Sequence, residues 1–229
     1  MTTTPERSGA DVCVIIPAAG SGTRLGEPVP KAFVDLGGRT IIERCVDNIP
    51  AALGATVVVV VPADLVDQAH ALLPDVIVVA GGAHRSDSVR AGIAAAGDAG
   101  ILLVHDAARP LTPARVFTDV VDAVRSGYPA VVPAIPVVDT LKQVVTVPDG
   151  LERVTRTVDR EELRAVQTPQ GFTSDALRRA HADASGLATD DAGLAERCGI
   201  DVHLVLGDPL AMKITTPWDL HIVRDVVGR

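Results

Sequence analysis

The chain has 229 residues, 47% of them hydrophobic but only 2% aromatic, so it can build a large core only from Val, Leu, Ile and Ala; this excludes a disordered chain and an aromatic-rich sandwich. Its formal net charge of -8, without a basic run, excludes a nucleic acid polymer as partner. The longest apolar stretch, residues 55–63, falls short of the about 20 residues a membrane span needs, so no membrane partner is expected either.

In chain order, the N-terminal residues 1–11 are polar and lack a signal-peptide core. Val12–Pro17 then reads as a strand that leaves no room for a transit peptide. Thr56–Val61, Val76–Ala80, Ile101–Val104 and Ala130–Ile135 follow as further short runs rich in β-branched residues, bounded by Gly, Pro or Asp. Continuous apolarity without alternation predicts strands covered on both faces. Helix starts lie between them. Thr40 with Glu43 makes a capping box before Ile41. Asp87 to Ala96 reads as an amphipathic helix, Thr112 as a cap before Pro113, and Thr216-Pro217 with Asp219 as the start of the last helix. Strand–helix alternation of this kind predicts an α/β fold, a mostly parallel twisted sheet flanked by helices, forming a single domain over 1–229.

Residues 137–164 break the rhythm. Two half-polar runs flank Pro148-Asp149-Gly150, the pattern of a hairpin. An isolated hairpin is marginal in water, so this arm predicts a partner surface, either on its own domain or on another subunit. The cysteines, Cys13, Cys45 and Cys198, have neither CxxC spacing nor an adjacent His pair, and read as buried thiols of a reducing, cytoplasmic protein.

The chemistry-bearing segment follows the first strand: Pro17-Ala18-Ala19-Gly20-Ser21-Gly22-Thr23-Arg24-Leu25-Gly26. Small residues here let backbone N–H groups close around an anion. It lacks the third glycine of a dinucleotide fingerprint and the Gly-Lys-Ser/Thr of a P-loop. Arg24 lies in the loop, and Pro28-Val29-Pro30 makes a stiff extended arm that can return Lys31 towards it. A cation beside a phosphate nest is what phosphoryl and nucleotidyl transfer require.

These blocks, with Gly81-Gly82-x-x-Arg85-x-Asp87-Ser88, His105-Asp106-Ala107-Ala108-Arg109-Pro110, Asp139-Thr140, Asp159-Arg160, Gln167-Thr168-Pro169-Gln170, Thr189-Asp190-Asp191 and Lys213-Ile214-Thr215, resemble in order the sugar-phosphate nucleotidyltransferases, and among them the 2-C-methyl-D-erythritol 4-phosphate cytidylyltransferases. The resemblance runs from about Val12 to about Leu220. It implies a Rossmann-like nucleotidyltransferase fold and transfer of a cytidylyl group from CTP to 2-C-methyl-D-erythritol 4-phosphate, with Mg²⁺ as cofactor, in the non-mevalonate isoprenoid precursor pathway. It implies Arg24 and Lys31 as the catalytic cations. Ala18, Ala19, Gly20, Gly22, Gly82, Asp87 and Ser88 would line the nucleotide side, although for Asp87 a cap of the following helix is the competing role. Asp106 would lie near the substrate and the metal ion. Arg109 would bind substrate or pair with Asp106, and Thr140, Arg160 and Lys213 would hold the acceptor phosphate. Ala83 stands where some relatives carry an acidic residue. The resemblance further implies a homodimer through the 137–164 arm, with Arg160 reaching the partner's site. Two alternatives stay open: a cytidylyltransferase for another polyol phosphate, such as ribitol 5-phosphate, and a non-catalytic nucleotide-binding protein.

Overall fold

The computed structural model describes residues 11–20, 25–148, 150–182 and 190–228. Strand β1 (Val12–Pro17) is buried along almost its whole length because it lies mid-sheet, parallel to β2 (Thr56–Val61) on one side and to β4 (Ile101–Val104) on the other. β3 (Ile77–Ala80) extends the sheet beyond β2, again parallel. On the far side of β4 an antiparallel strand, β9 (Gln170–Thr173), intervenes before β5 (Ala130–Pro136), which pairs in parallel with β10 (Val202–Leu206). A short strand, β8 (Arg164–Val166), runs antiparallel to the end of β5. The sheet is thus parallel apart from β8 and β9, as the Val- and Ile-rich runs predict.

Helices cover both faces. α1 (Ile41–Asp47), α2 (Val66–Leu72) and α4 (Ala114–Arg125) border the core that contains Val12, Val14, Ile16, Phe117 and Val121. α3 (Arg85–Ala95), α5 (Ser174–Ala182) and α6 (Asp191–Arg197) cover the opposite face, with Cys13, Ile15, Phe172 and Leu177. α7 (Pro217–Val227) closes a smaller cluster with Leu36, Ile41 and Ile214.

The predicted caps are largely present. Thr40 and Glu43 form a capping box on α1, and Thr216 and Asp219 form one on α7. Thr112 differs. The N-cap of α4 is Pro113, and the Thr112 hydroxyl donates instead to the Arg109 carbonyl at 3.0 Å, tying down the turn before the helix. α3 begins at Arg85, two residues earlier than the hydrophobic pattern suggests, because Asp87 caps it by accepting from the His84 N–H at 3.0 Å.

The arm is a two-stranded sheet, β6 (Lys142–Thr146) and β7 (Glu152–Thr157), which among the described residues pair only with each other and are exposed along both strands.

Candidate functional site

The site forms where loops leave the C-terminal edge of the parallel strands, the place an open α/β sheet offers a ligand. Backbone bonds gather the loops. Ala18 N–H donates to the Val60 carbonyl at 2.7 Å and Gly81 N–H to that of Val61 at 2.8 Å, so the segments after β1 and β3 meet over the end of β2. Gly81 permits the approach: a Cβ there would lie 2.6 Å from Ser88 Oγ and 2.9 Å from Ala19 Cβ. The residue after β4, His105, donates its N–H to Ile15 O at 2.9 Å, and Asp106 N–H donates to Thr168 Oγ1 at 3.0 Å. Ile214 N–H donates to Ala108 O at 2.8 Å, which brings the Lys213 segment beside Asp106.

Two cavities open there. The larger, of about 260 Å³, has a wall of small residues that includes Ala18, Ala19, Gly20, Gly82, Ala83 and Ser88, with Lys31 at its side. The smaller, of about 180 Å³, is polar and is lined by Arg109, Gln167, Thr168, Gln170 and Asp190. Arg85, Asp106 and Lys213 line both and form the saddle between them.

Asp106 is the electrostatic centre. Lys213 Nζ lies 2.8 Å and Arg109 Nε 3.7 Å from Oδ2, while Arg85 Nη2 lies 3.6 Å from Oδ1. Burial by itself would raise the Asp106 pKa, but Arg85, Lys213 and Arg109 together hold it at about 2. The carboxylate is therefore ionised across the working range. Arg109 is tied on its other side as well, since its Nη1 donates to the Ala211 carbonyl. Lys31 sits on a 3-10 turn, Lys31–Phe33, and its ammonium donates to the Ile214 carbonyl, so it is held beside the saddle.

Known proteins are similar to this chain in sequence and in fold. The family model described as IspD, 2-C-methyl-D-erythritol 4-phosphate cytidylyltransferase, matches residues 12–229. The chain belongs to this family. A protein of that name from Rhodococcus jostii is 56% identical over 94% of this chain and 95% of its own length. One from Nocardia farcinica is 56% identical over 95% of this chain and 94% of its own. The crystal structure of 2-C-methyl-D-erythritol 4-phosphate cytidylyltransferase from Thermus thermophilus superimposes with a TM-score of 0.79 at 37% identity, covering 95% of this chain and 99% of that one. As a member of this cytidylyltransferase family the chain is an enzyme, a nucleotidyltransferase, and its mixed, mostly parallel sheet is the family's fold.

Of the residues expected in the cytidylyltransferase site, the structure brings Ala18, Ala19, Gly20, Lys31, Gly82, Ser88, Asp106, Arg109 and Lys213 to the two cavities. Gly22 and Arg24 lie outside the described residues, as does Thr189. Asp87 lines neither cavity; it caps α3 and pairs with Arg90, which gives it the helix-capping role. Thr140 and Arg160 are exposed at the base of the arm and reach neither cavity of their own chain, the Arg160 guanidinium donating instead to the Val138 carbonyl. His105 is fully buried against Phe117, with ring centroids 4.8 Å apart, and burial lowers its pKa to about 4, so it is a packed neutral ring.

Sequence reasoning gave no role to Arg85, Thr168 or Gln170. All three sit in motif blocks, but their work is visible only in three dimensions: Gln170, for one, spans Asp190 and the Ala192 N–H, and so fixes the start of α6 to β9.

As a metal site, Asp106 offers one ionised carboxylate at the cavity rim. Among the described residues no three His, Cys, Asp or Glu side chains gather as a metal cage. That donor set suits Mg²⁺, which binds through one or two carboxylates completed by substrate phosphates. No helix among the described residues is long and apolar enough to cross a membrane.

Proposed function

We propose that this chain transfers the cytidylyl group of CTP to 2-C-methyl-D-erythritol 4-phosphate. An acceptor phosphate oxygen attacks the α-phosphorus of CTP in line, the bond to the β-phosphate breaks, and pyrophosphate leaves. The observation that carries this reading is the meeting of a small-residue cavity and a polar, cationic cavity at one saddle of Arg85, Asp106 and Lys213. The first suits a pyrimidine nucleotide, whose base edge backbone groups can read where side chains are short. The second suits a phosphorylated polyol, with Arg109 and Lys213 for its phosphate. Holding two anions over one saddle supplies catalysis by orientation. Lys31 beside the saddle, and Arg24 by the family resemblance, neutralise charge that builds on the α-phosphate oxygens.

In this reading Asp106, together with the triphosphate oxygens, would hold Mg²⁺. When bound, the ion neutralises phosphate charge. The reading also includes a homodimer. Leu141, Val144, Val145, Leu151 and Val154 expose apolar surface on and around an arm whose strands pair only with each other, which supports a partner's cover for it. A cytoplasmic setting is supported by Cys13, Cys45 and Cys198, all free thiols.

The test is pyrophosphate release by the purified chain with Mg²⁺, pairing each ribonucleoside triphosphate with 2-C-methyl-D-erythritol 4-phosphate, ribitol 5-phosphate or no acceptor. Release is expected with CTP and methylerythritol phosphate. Release with CTP and ribitol phosphate alone would transfer the activity to another polyol, and CTP binding without release from any pair would leave a non-catalytic protein.

A further inference from the structure

Asp191 is the first residue of α6 and is completely buried, yet it lines neither cavity. A carboxylate is costly to bury unless it is paired and fully hydrogen-bonded. Its two oxygens have two partners. Oδ1 meets Nε2 of the buried His181, in the last turn of α5, at 2.9 Å. Oδ2 accepts from Arg85 Nη2 at 2.7 Å. That same Arg85 nitrogen lies 3.6 Å from Asp106 Oδ1. The two oxygens of Asp106 thus have different guardians: Lys213 and Arg109 at Oδ2, Arg85 at Oδ1. Arg85 has two-thirds of its side chain covered and projects from the N-terminus of α3, so its head would swing into the cavities without a fixed anion behind it.

We propose that Asp191 is a positioning residue for the transfer reaction: it holds Arg85 on the saddle between the cavities and, through Arg85, fixes the orientation of Asp106. This rests on the reading of the saddle as the place where CTP and the acceptor meet. Asp191 touches no substrate; it acts at second hand, from a site that solvent does not reach. His181 completes the hydrogen bonding of Asp191 and ties α5 to α6, but reaches Arg85 and Asp106 only through Asp191.

The geometry separates positioning from plain stability. Asp191→Asn keeps the shape and removes the charge that anchors Arg85. Arg85→Gln removes the anchored group. His181→Gln replaces the imidazole on the far side of Asp191 by a neutral amide and leaves the Arg85 side of Asp191 untouched. Steady-state pyrophosphate release with CTP and methylerythritol phosphate, together with thermal unfolding, gives kcat, both KM values and Tm for each variant. Expected is a loss in kcat of about tenfold or more in D191N and R85Q, the scale on which misplacement of a reacting group registers, with KM for CTP nearly unchanged. In the double variant the losses should not multiply, because Asp191 has nothing left to position once Arg85 is gone. H181Q should lower Tm and leave kcat near wild type. The role is overturned if D191N keeps its kcat, if the two losses multiply in the double variant, or if H181Q loses kcat as D191N does. Should D191N fail to accumulate as folded protein, R85Q carries the test, and full turnover by R85Q overturns the proposal. Absence of release by the wild-type chain sinks the reaction proposed above and the positioning role with it; wild-type turnover beside an unaffected D191N sinks the positioning role alone.

Discussion

Asp106 shows how one side chain can join stability to function. Its carboxyl is almost wholly buried and is held ionised by Arg85, Lys213 and Arg109, so its pKa in the folded chain, about 2, lies below the ordinary 3.8. A group whose folded pKa is depressed adds stability above its unfolded pKa and loses it as pH falls through the folded one. The window is therefore from about pH 4 down to about pH 2. The full contribution is about 2 kcal/mol, of which about 1 should already be gone at pH 3. Asp106→Asn isolates this from the other carboxylates. Urea unfolding at pH 6, 4 and 3 should show the wild type more stable than D106N at pH 6, with the gap closing by about 1 kcal/mol at pH 3. A gap that is flat with pH would mean that the cations do not favour the ionised form.

Among the elements, α3 carries both Arg85 and Ser88 into the site, and its height above the sheet is set by a glycine. A Cβ on Gly92 would lie 2.2 Å from Ile15 Cγ2, and Ile15 is fully buried mid-sheet with no room to yield. Alanine favours helix over glycine by about 1 kcal/mol, but overpacking a rigid core costs about 1–3 kcal/mol, and at this distance the clash wins. Gly92→Ala should lower the urea midpoint, with a net loss of up to about 2 kcal/mol, and should reduce turnover by lifting Arg85 off the saddle. A variant as stable as wild type would show that α3 floats freely on β1. The same packing explains which elements were legible. β1, β2 and β4 are continuous Val, Ile and Leu runs with matching bounds, because strands covered on both faces need nothing else. The capping boxes of α1 and α7 are local and were readable for that reason. β8 and β9 were not legible: they span three and four residues, and β9 owes its place to Gly171, where any Cβ would strike Val120 and Leu103. In the site, Ala18, Ala19, Lys31, Asp106 and Lys213 could be found because each sits in a local motif. The Arg85–Asp191 pair could not, since it joins residues 106 positions apart, one at the start of α3 and the other at the start of α6.

At the scale of the whole molecule, a chain of net charge -8 must bind two anions, so it concentrates cations where they meet and leaves the rest acidic. Arg160, which the family resemblance assigns to the acceptor phosphate, does not fit this scheme within one chain, for it sits exposed at the foot of the arm, away from both cavities of its own chain. A dimer in which the arm crosses to the partner resolves this by making each site from two chains. Complementation decides it. In such a dimer Lys31→Ala would damage the site of the chain that carries it, and Arg160→Ala would damage the partner's. Each variant alone should lose most of its turnover, on the order of a hundredfold. Mixed one to one and allowed to exchange subunits, half of the dimers become mixed. Each mixed dimer holds one doubly damaged site and one intact site, so activity should return to about a quarter of the wild-type value. If Arg160 served its own chain, every site in the mixture would carry one lesion and activity would not return. If the chains did not associate, light scattering would report monomers and mixing would change nothing. Recovery on mixing therefore requires both halves of the idea at once, an arm that pairs the chains and an arginine that acts across the pair.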